Sequence, residues 1–102
     1  MCWVDFDPAR GGEIQKRRPT VIVGNDAATQ AQNRVQVVPL TSNTAVVRRW
    51  EALVAVDGAP RKALADQIRT VAKERLTNYV GALSPRDLPT VEQALRVQLD
   101  LP

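Results

Sequence analysis

Two adjacent arginines precede a proline in Arg17-Arg18-Pro19 and open onto the uninterrupted apolar run Thr20-Val21-Ile22-Val23. Guanidinium is planar, permanently charged and matched to phosphate oxygens. An arginine pinned at the first residue of a buried strand therefore suits a phosphate-bearing substrate. The segment before it carries Pro8, the pair Gly11-Gly12, then Glu13 and Lys16. Such a composition equally describes a solvated loop before a strand, with Arg18 paired to Asp5, Asp7 or Glu13. The absent residue types narrow the chemistry. No histidine is present, which removes Ser–His and Cys–His nucleophile pairs, His-ligated zinc and paired-histidine acid–base mechanisms. The single cysteine, Cys2, excludes an intrachain disulfide framework and a multi-thiolate metal site. Any catalysis must rest on Arg, Lys, Asp, Glu, Thr, Ser or Tyr, and no metal or cofactor is expected.

Charge points to the class of partner. Of 14 Lys/Arg and 11 Asp/Glu, residues 1–83 hold twelve basic against eight acidic, and residues 84–102 hold two against three. The basic excess lies on the body of the chain, which favours an anionic partner. Stacking platforms for a single-stranded nucleic acid would have to come from Trp3, Phe6, Trp50 or Tyr79. Trp50 reads first as a core or interface residue, because the core is otherwise poor in aromatics. At 102 residues the chain is expected to form one domain, residues 1–102. No signal peptide, membrane-spanning run or lipidation motif is visible, so a cytoplasmic location without membrane contact is expected.

The positioning elements are mostly short strands. Trp3 to Asp7 alternates weakly. Arg18 to Gly24 combines a leading proline, β-branched residues and the turn signal Gly24-Asn25-Asp26. Ala27 to Gln32 fits a short helical turn capped by Asn25 or Asp26. Arg34 to Leu40 alternates and then turns apolar, ending at the turn-forming cluster Thr41-Ser42-Asn43-Thr44. Trp50 to Val56 reads as a strand closed by the hairpin signal Asp57-Gly58. Ala63 to Val71 is compatible with helix or strand, and Asn78 to Gly81 with a last short strand. Ser84-Pro85-Arg86-Asp87 is a helix start, with Ser84 as N-cap and Pro85 at the first helical position. Leu88, Val91, Ala94 and Leu95 then form an apolar stripe. Five or six strands with one terminal helix predict a mainly β fold: a small SH3-like antiparallel barrel with the C-terminal helix packed on it.

Five segments together resemble the MazF/PemK family of bacterial toxins: VDFDPARGGE (Val4 to Glu13), RRPTVIVGND (Arg17 to Asp26), VVPLTSNT (Val37 to Thr44), ADQIRTVAKERL (Ala65 to Leu76) and VEQALRVQLDL (Val91 to Leu101). Each is weak alone, but their order and spacing match over nearly the whole chain. The resemblance implies an SH3-like homodimer that cleaves single-stranded RNA without metal at short sequence motifs. It implies a cognate MazE-like antitoxin; the basic surface suggests that this partner bears an acidic, disordered tail. It further implies that Arg18 matches the family's catalytic arginine and Thr41 its catalytic threonine. Glu13 matches a shared acid, Gln67 a residue that contacts RNA bases, and Asp66 an acid assigned to catalysis in some members. Lys16, Arg17 and Ser42 flank these positions as candidate substrate contacts. Two departures stand out: Gly12 where many members have serine or histidine, and Arg17 where some have histidine. Members also carry a basic residue and Gly-Glu before the first strand, whereas Met1 here falls inside it, which predicts an exposed edge.

RNA is cut without metal when its 2′-hydroxyl attacks the neighbouring phosphate. That reaction needs a base for the hydroxyl proton, an acid for the departing 5′-oxygen and stabilisation of the phosphorane. Arg18 suits the last task, because fixed cationic donors stabilise charge that grows in the transition state. Thr41 would donate a hydrogen bond to a non-bridging oxygen, and Glu13 is a candidate base. Local alternatives are an Asp66–Arg69 ion pair and a purely turn-forming Thr41. Two other functions fit the barrel: a non-enzymatic toxin that binds DNA gyrase, and an RNA-binding domain without cleavage, which Gly12 leaves open.

Overall fold

The computed structural model describes residues 1–6, 17–24 and 30–102. Its strands are β1 (Cys2–Asp5), β2 (Arg17–Val23), β3 (Arg34–Thr41), β4 (Glu51–Val56), β5 (Ala59–Leu64), β6 (Arg69–Ala72) and β7 (Leu76–Tyr79). Short 3-10 turns at Ala65–Gln67 and Lys73–Arg75 separate the later strands, and a helix, α1 (Leu88–Gln98), closes the chain. Every pairing among them is antiparallel. The strands run β4-β5-β3-β2-β1-β7, with β6 also on β3. The mainly β fold with a terminal helix is as expected, but the sheet is barrel-like and not closed: among the described residues no ladder joins β4 to β7.

β3 is the hub. One edge pairs with β2 through Thr20↔Pro39 to Val23↔Gln36. The other edge pairs first with β6, from Arg34↔Ala72 to Val37↔Arg69, and then with β5, at Leu40↔Ala63 and Thr41↔Lys62. Val38 and Pro39 fall between those two ladders. This change of partner explains the strand's hydropathy. Val35 and Val37 are buried on one face in a small core with Val4, Phe6 and Val71, against which Leu76 packs. Val38 and Leu40 are buried on the other face in a larger core with Val21, Ala52, Val54, Ala63, Val91 and Ala94. An alternating strand that turns wholly apolar is one that passes from a single core to a position between two.

Several expectations meet their physical reasons here. β1 is not an edge: β2 flanks it on one side and β7 on the other, and the Met1 ammonium donates to the Gly81 carbonyl. The turn between β4 and β5 holds Asp57 at φ 51 and Gly58 at φ 78, the two left-handed positions that a two-residue hairpin loop demands. The ambiguous stretch from Ala63 is neither one helix nor one strand but the end of β5, a 3-10 turn and β6. β5 is not evident in the sequence pattern, and with it the described residues form seven strands. Residues 30 and 31 are helical, and the rest of the expected Ala27 to Gln32 turn, with Asn25 and Asp26, lies outside the described residues.

The helix starts later than its sequence predicts. Ser84 Oγ accepts from the Asp87 amide at 3.1 Å, as a cap should. Pro85 to Asp87 nevertheless form a turn, and α1 proper begins at Leu88 with Pro89 in its first turn. The Asp87 carboxylate does not return to the Ser84 amide but accepts from Ala55 N–H of β4 at 3.0 Å, tying the helix to the sheet. Val91 and Ala94 are buried as the stripe predicts, whereas Leu88 is 45% exposed. Trp50 is also outside the core, at 37% exposure.

Candidate functional site

Strand register brings the two principal candidates together. Residues paired across an antiparallel ladder share a face of the sheet. In the β2–β3 ladder the pairs run Val23↔Gln36, Ile22↔Val37, Val21↔Val38 and Thr20↔Pro39. The ladder ends at Thr20↔Pro39, and the alternation of each strand puts Arg18 with Thr20 and Thr41 with Pro39 on the face of Val37. Neighbouring ladders set Val4 opposite Arg18 and Lys62 opposite Thr41. Val4, Arg18, Thr41 and Lys62 thus form a row on one face of β1, β2, β3 and β5. Their face is the one that carries the small core of Val4, Phe6, Val37 and Val71, away from the helix. Arg18 and Thr41 are both partly exposed at the rim of that core.

The end of β3 orients the threonine. Thr41 Oγ1 accepts from the Asn43 amide at 3.3 Å, and Asn43 Oδ1 accepts from the Ala45 amide at 3.3 Å. These two side-chain turns fold the chain back immediately after the strand. A hydroxyl that accepts one bond keeps the capacity to donate another, here to a substrate oxygen.

Arg17 goes elsewhere. Successive residues of a strand point to opposite faces, and Arg17 lies on the face of Trp3 and Pro19. Its guanidinium stacks on the Trp3 ring, 4.8 Å from the centroid, and donates to Thr77 Oγ1 at 3.0 and 3.2 Å and to Asn78 Oδ1. The structure therefore does not bring Arg17 to the Arg18–Thr41 face. A different cation is on it: Arg69, opposite Val37, lies with Cζ 5.4 Å from the centroid of the buried Phe6 ring. Composition does not reveal this residue as a site candidate. The signal that finds it is period-two alternation through Arg69 and Val71, once β6 is recognised as a strand.

The remaining candidates distribute as follows. Ser42 is exposed directly after Thr41. Asp66 is exposed and Gln67 partly exposed on the 3-10 turn between β5 and β6, on the edge of β3 away from β2 and beside the row. Gly12, Glu13 and Lys16 lie outside the described residues. Among the described residues no three Cys, Asp or Glu side chains gather as metal ligands, and no helix is long and apolar enough to cross a membrane.

Residues 1–99 match the family described as the PemK-like, MazF-like toxin of type II toxin–antitoxin systems. The chain belongs to that family. It is 40% identical over 107 residues to endoribonuclease MazF9 of Mycobacterium tuberculosis, covering 96% of this chain and 91% of that protein. Among solved structures it is similar to an endoribonuclease from a mycobacterial species in complex with its cognate antitoxin. That likeness has a TM-score of 0.80 at 26% identity and covers 99% of this chain and 91% of the other. The fold also matches MazF from Deinococcus radiodurans, with a TM-score of 0.82 at 24% identity over 98% of this chain and 92% of that one. The PemK/MazF assignment spans both strands that carry the Arg18–Thr41 pair, so this face belongs to the family domain and not to an added segment.

Proposed function

We propose that this PemK/MazF-family protein is an endoribonuclease toxin that cleaves single-stranded RNA at short sequence motifs without a metal ion. The observation that carries the proposal is the placement of Arg18 and Thr41, both partly exposed, on one face of the sheet. That placement supports a division of labour: Arg18 stabilises charge on the phosphorane and Thr41 donates to a non-bridging oxygen. Both groups sit on strands, where neighbouring ladders hold the backbone and little reorganisation accompanies the reaction. Guanidinium holds its proton too tightly to act as an ordinary base. The proton of the 2′-hydroxyl therefore goes to a carboxylate, for which Glu13 is the candidate. Attack of the 2′-oxygen on phosphorus breaks the bond to the 5′-oxygen, which takes a proton from water; the products are a 5′-hydroxyl end and a 2′,3′-cyclic phosphate, which a second water hydrolyses to a 3′-phosphate.

The solved relative in complex with its cognate antitoxin supports a toxin held in check by a partner. Residues 1–102 act as one domain, as a homodimer in the cytoplasm. A cognate antitoxin with an acidic, disordered segment orders across the basic RNA-binding face and blocks it. Asp66, Gln67 and Ser42 border that face as substrate contacts.

The test is incubation of purified protein with a long single-stranded RNA in EDTA, with the fragment ends mapped. Cleavage is expected, with 5′-hydroxyl ends and a reduction of about 10²–10³-fold in kcat for Arg18→Ala or Thr41→Ala. RNA left intact by the wild type would favour the gyrase-binding alternative. Equal cutting by Arg18→Ala would remove Arg18 from the mechanism.

A further inference from the structure

Lys62 stands in the same row as Arg18 and Thr41, yet it turns its charge inward. The residue is 7% exposed. Its Nζ donates to the Val46 carbonyl at 2.8 Å and lies 3.4 Å from Glu51 Oε2, whose side chain is 6% exposed. Glu51 Oε1 in turn accepts from the Arg48 amide at 2.8 Å. One buried ion pair thus grips the segment between Thr41 and β4 at two backbone points, Val46 and Arg48. Burying a lysine is costly unless it is paired and hydrogen-bonded, and both conditions are met here. An apolar pair would fill the same space at no such cost. What it could not do is hold a carbonyl and an amide of the segment that leaves Thr41. That segment presents Arg48, exposed with its guanidinium 4.0 Å from Glu51 Oε1, Arg49, exposed, and Trp50, 37% exposed. Cations interleaved with an aromatic ring are the groups that track a single-stranded backbone and stack its bases.

We infer that Lys62 and Glu51 are positioning residues for substrate recognition: they hold residues 42–50 beside Thr41 so that Arg48, Arg49 and Trp50 meet the RNA strand in one arrangement. The inference rests on the ribonuclease reading for its substrate class. Its consequence falls on binding and site choice, because backbone ladders hold Arg18 opposite Val4 and Thr41 opposite residue 62, and replacing the Lys62 and Glu51 side chains leaves those ladders in place.

The experiment compares the wild type with the double variant Lys62→Met/Glu51→Leu, in which the buried pair is replaced by apolar residues of similar size. The probe is a 2′-O-methyl single-stranded RNA, which binds but has no 2′-hydroxyl to attack. The variant is expected to melt near the wild-type temperature, exchange its 46–50 amides about tenfold faster and bind the probe several-fold more weakly. With cleavable RNA its KM should rise while kcat stays within about twofold, and it should cut a broader set of sites. A folded variant with wild-type affinity and cleavage pattern overturns the inference. If the variant does not fold, the wild type decides: an Arg48 amide exchanging at the rate of an unfolded peptide overturns the pin, and a protected one supports it. A wild type that binds the probe but cuts no RNA defeats the ribonuclease reading alone, since probe affinity still measures the role of the pair.

Discussion

At the scale of single residues, strand alternation separates three cations by role. Arg18 is partly exposed on the face that carries Thr41, Lys62 is buried as an anchor, and Arg17 is committed to Trp3, Thr77 and Asn78 on the opposite face. Two adjacent arginines therefore do not make a doubled phosphate site, because one pleat turns them apart. The role assigned to Arg18 depends on a planar fork with several donors, which lysine lacks. Arg18→Lys is accordingly expected to lower kcat by about tenfold or more although charge is kept, and single-turnover RNA cleavage measures it. Activity at the wild-type level in Arg18→Lys would reduce Arg18 to a source of positive potential.

At the scale of elements, helix and sheet are joined by few directional contacts. The Asp87 carboxylate occupies the Ala55 amide of β4, the outermost strand in the order, and so also covers one donor of an open edge. Asp87→Ala leaves that amide without this acceptor and is expected to destabilise the fold by about 1 kcal/mol. The midpoint of urea unfolding would show it as a downward shift with the slope unchanged. The element most easily missed from the sequence is β5, because Pro60, Arg61 and Lys62 break its apolar pattern. Lys62 is buried by pairing with Glu51, and hydropathy cannot register a burial that depends on a partner eleven residues away in the chain. The sequence pattern places the start of α1 at Ser84 for a sound reason, since its cap bond does form. Only the tie from Asp87 to β4 and the second proline, Pro89, delay the helix to Leu88.

At the scale of the whole molecule, two cores sit on the two faces of β3, and they serve different ends. The larger core packs α1 against β4 through Val91 and Ala94, each 1% exposed. Val91→Ala removes two methyl groups there and is expected to cost about 1–3 kcal/mol by urea unfolding, while probe binding stays unchanged. The smaller core lies behind the candidate site, with Phe6 beneath Arg69 and Val4 beside Arg18. The chain's excess of basic groups acts over the same scale. RNA binding is expected to weaken steeply from 50 to 200 mM salt, with a slope near −0.7 per phosphate contact in a log–log titration. A flat salt response would argue against a basic face as the main source of affinity.

The chemistry available to this protein follows from composition: without histidine and with one cysteine, no arrangement of the chain supplies the usual nucleophile pairs. Most strands, the hairpin at Asp57-Gly58 and the terminal helix follow from local pattern, because turn geometry and periodicity are properties of neighbouring residues. The assignment of roles to Arg18 and Thr41 rested on the motifs around them, not on any visible proximity. Their meeting on one face, the departure of Arg17 from it, the arrival of Arg69 and the burial of Lys62 required the tertiary structure. These depend on which strands become neighbours and in what register, and a shift of one residue would send every one of these side chains to the opposite face.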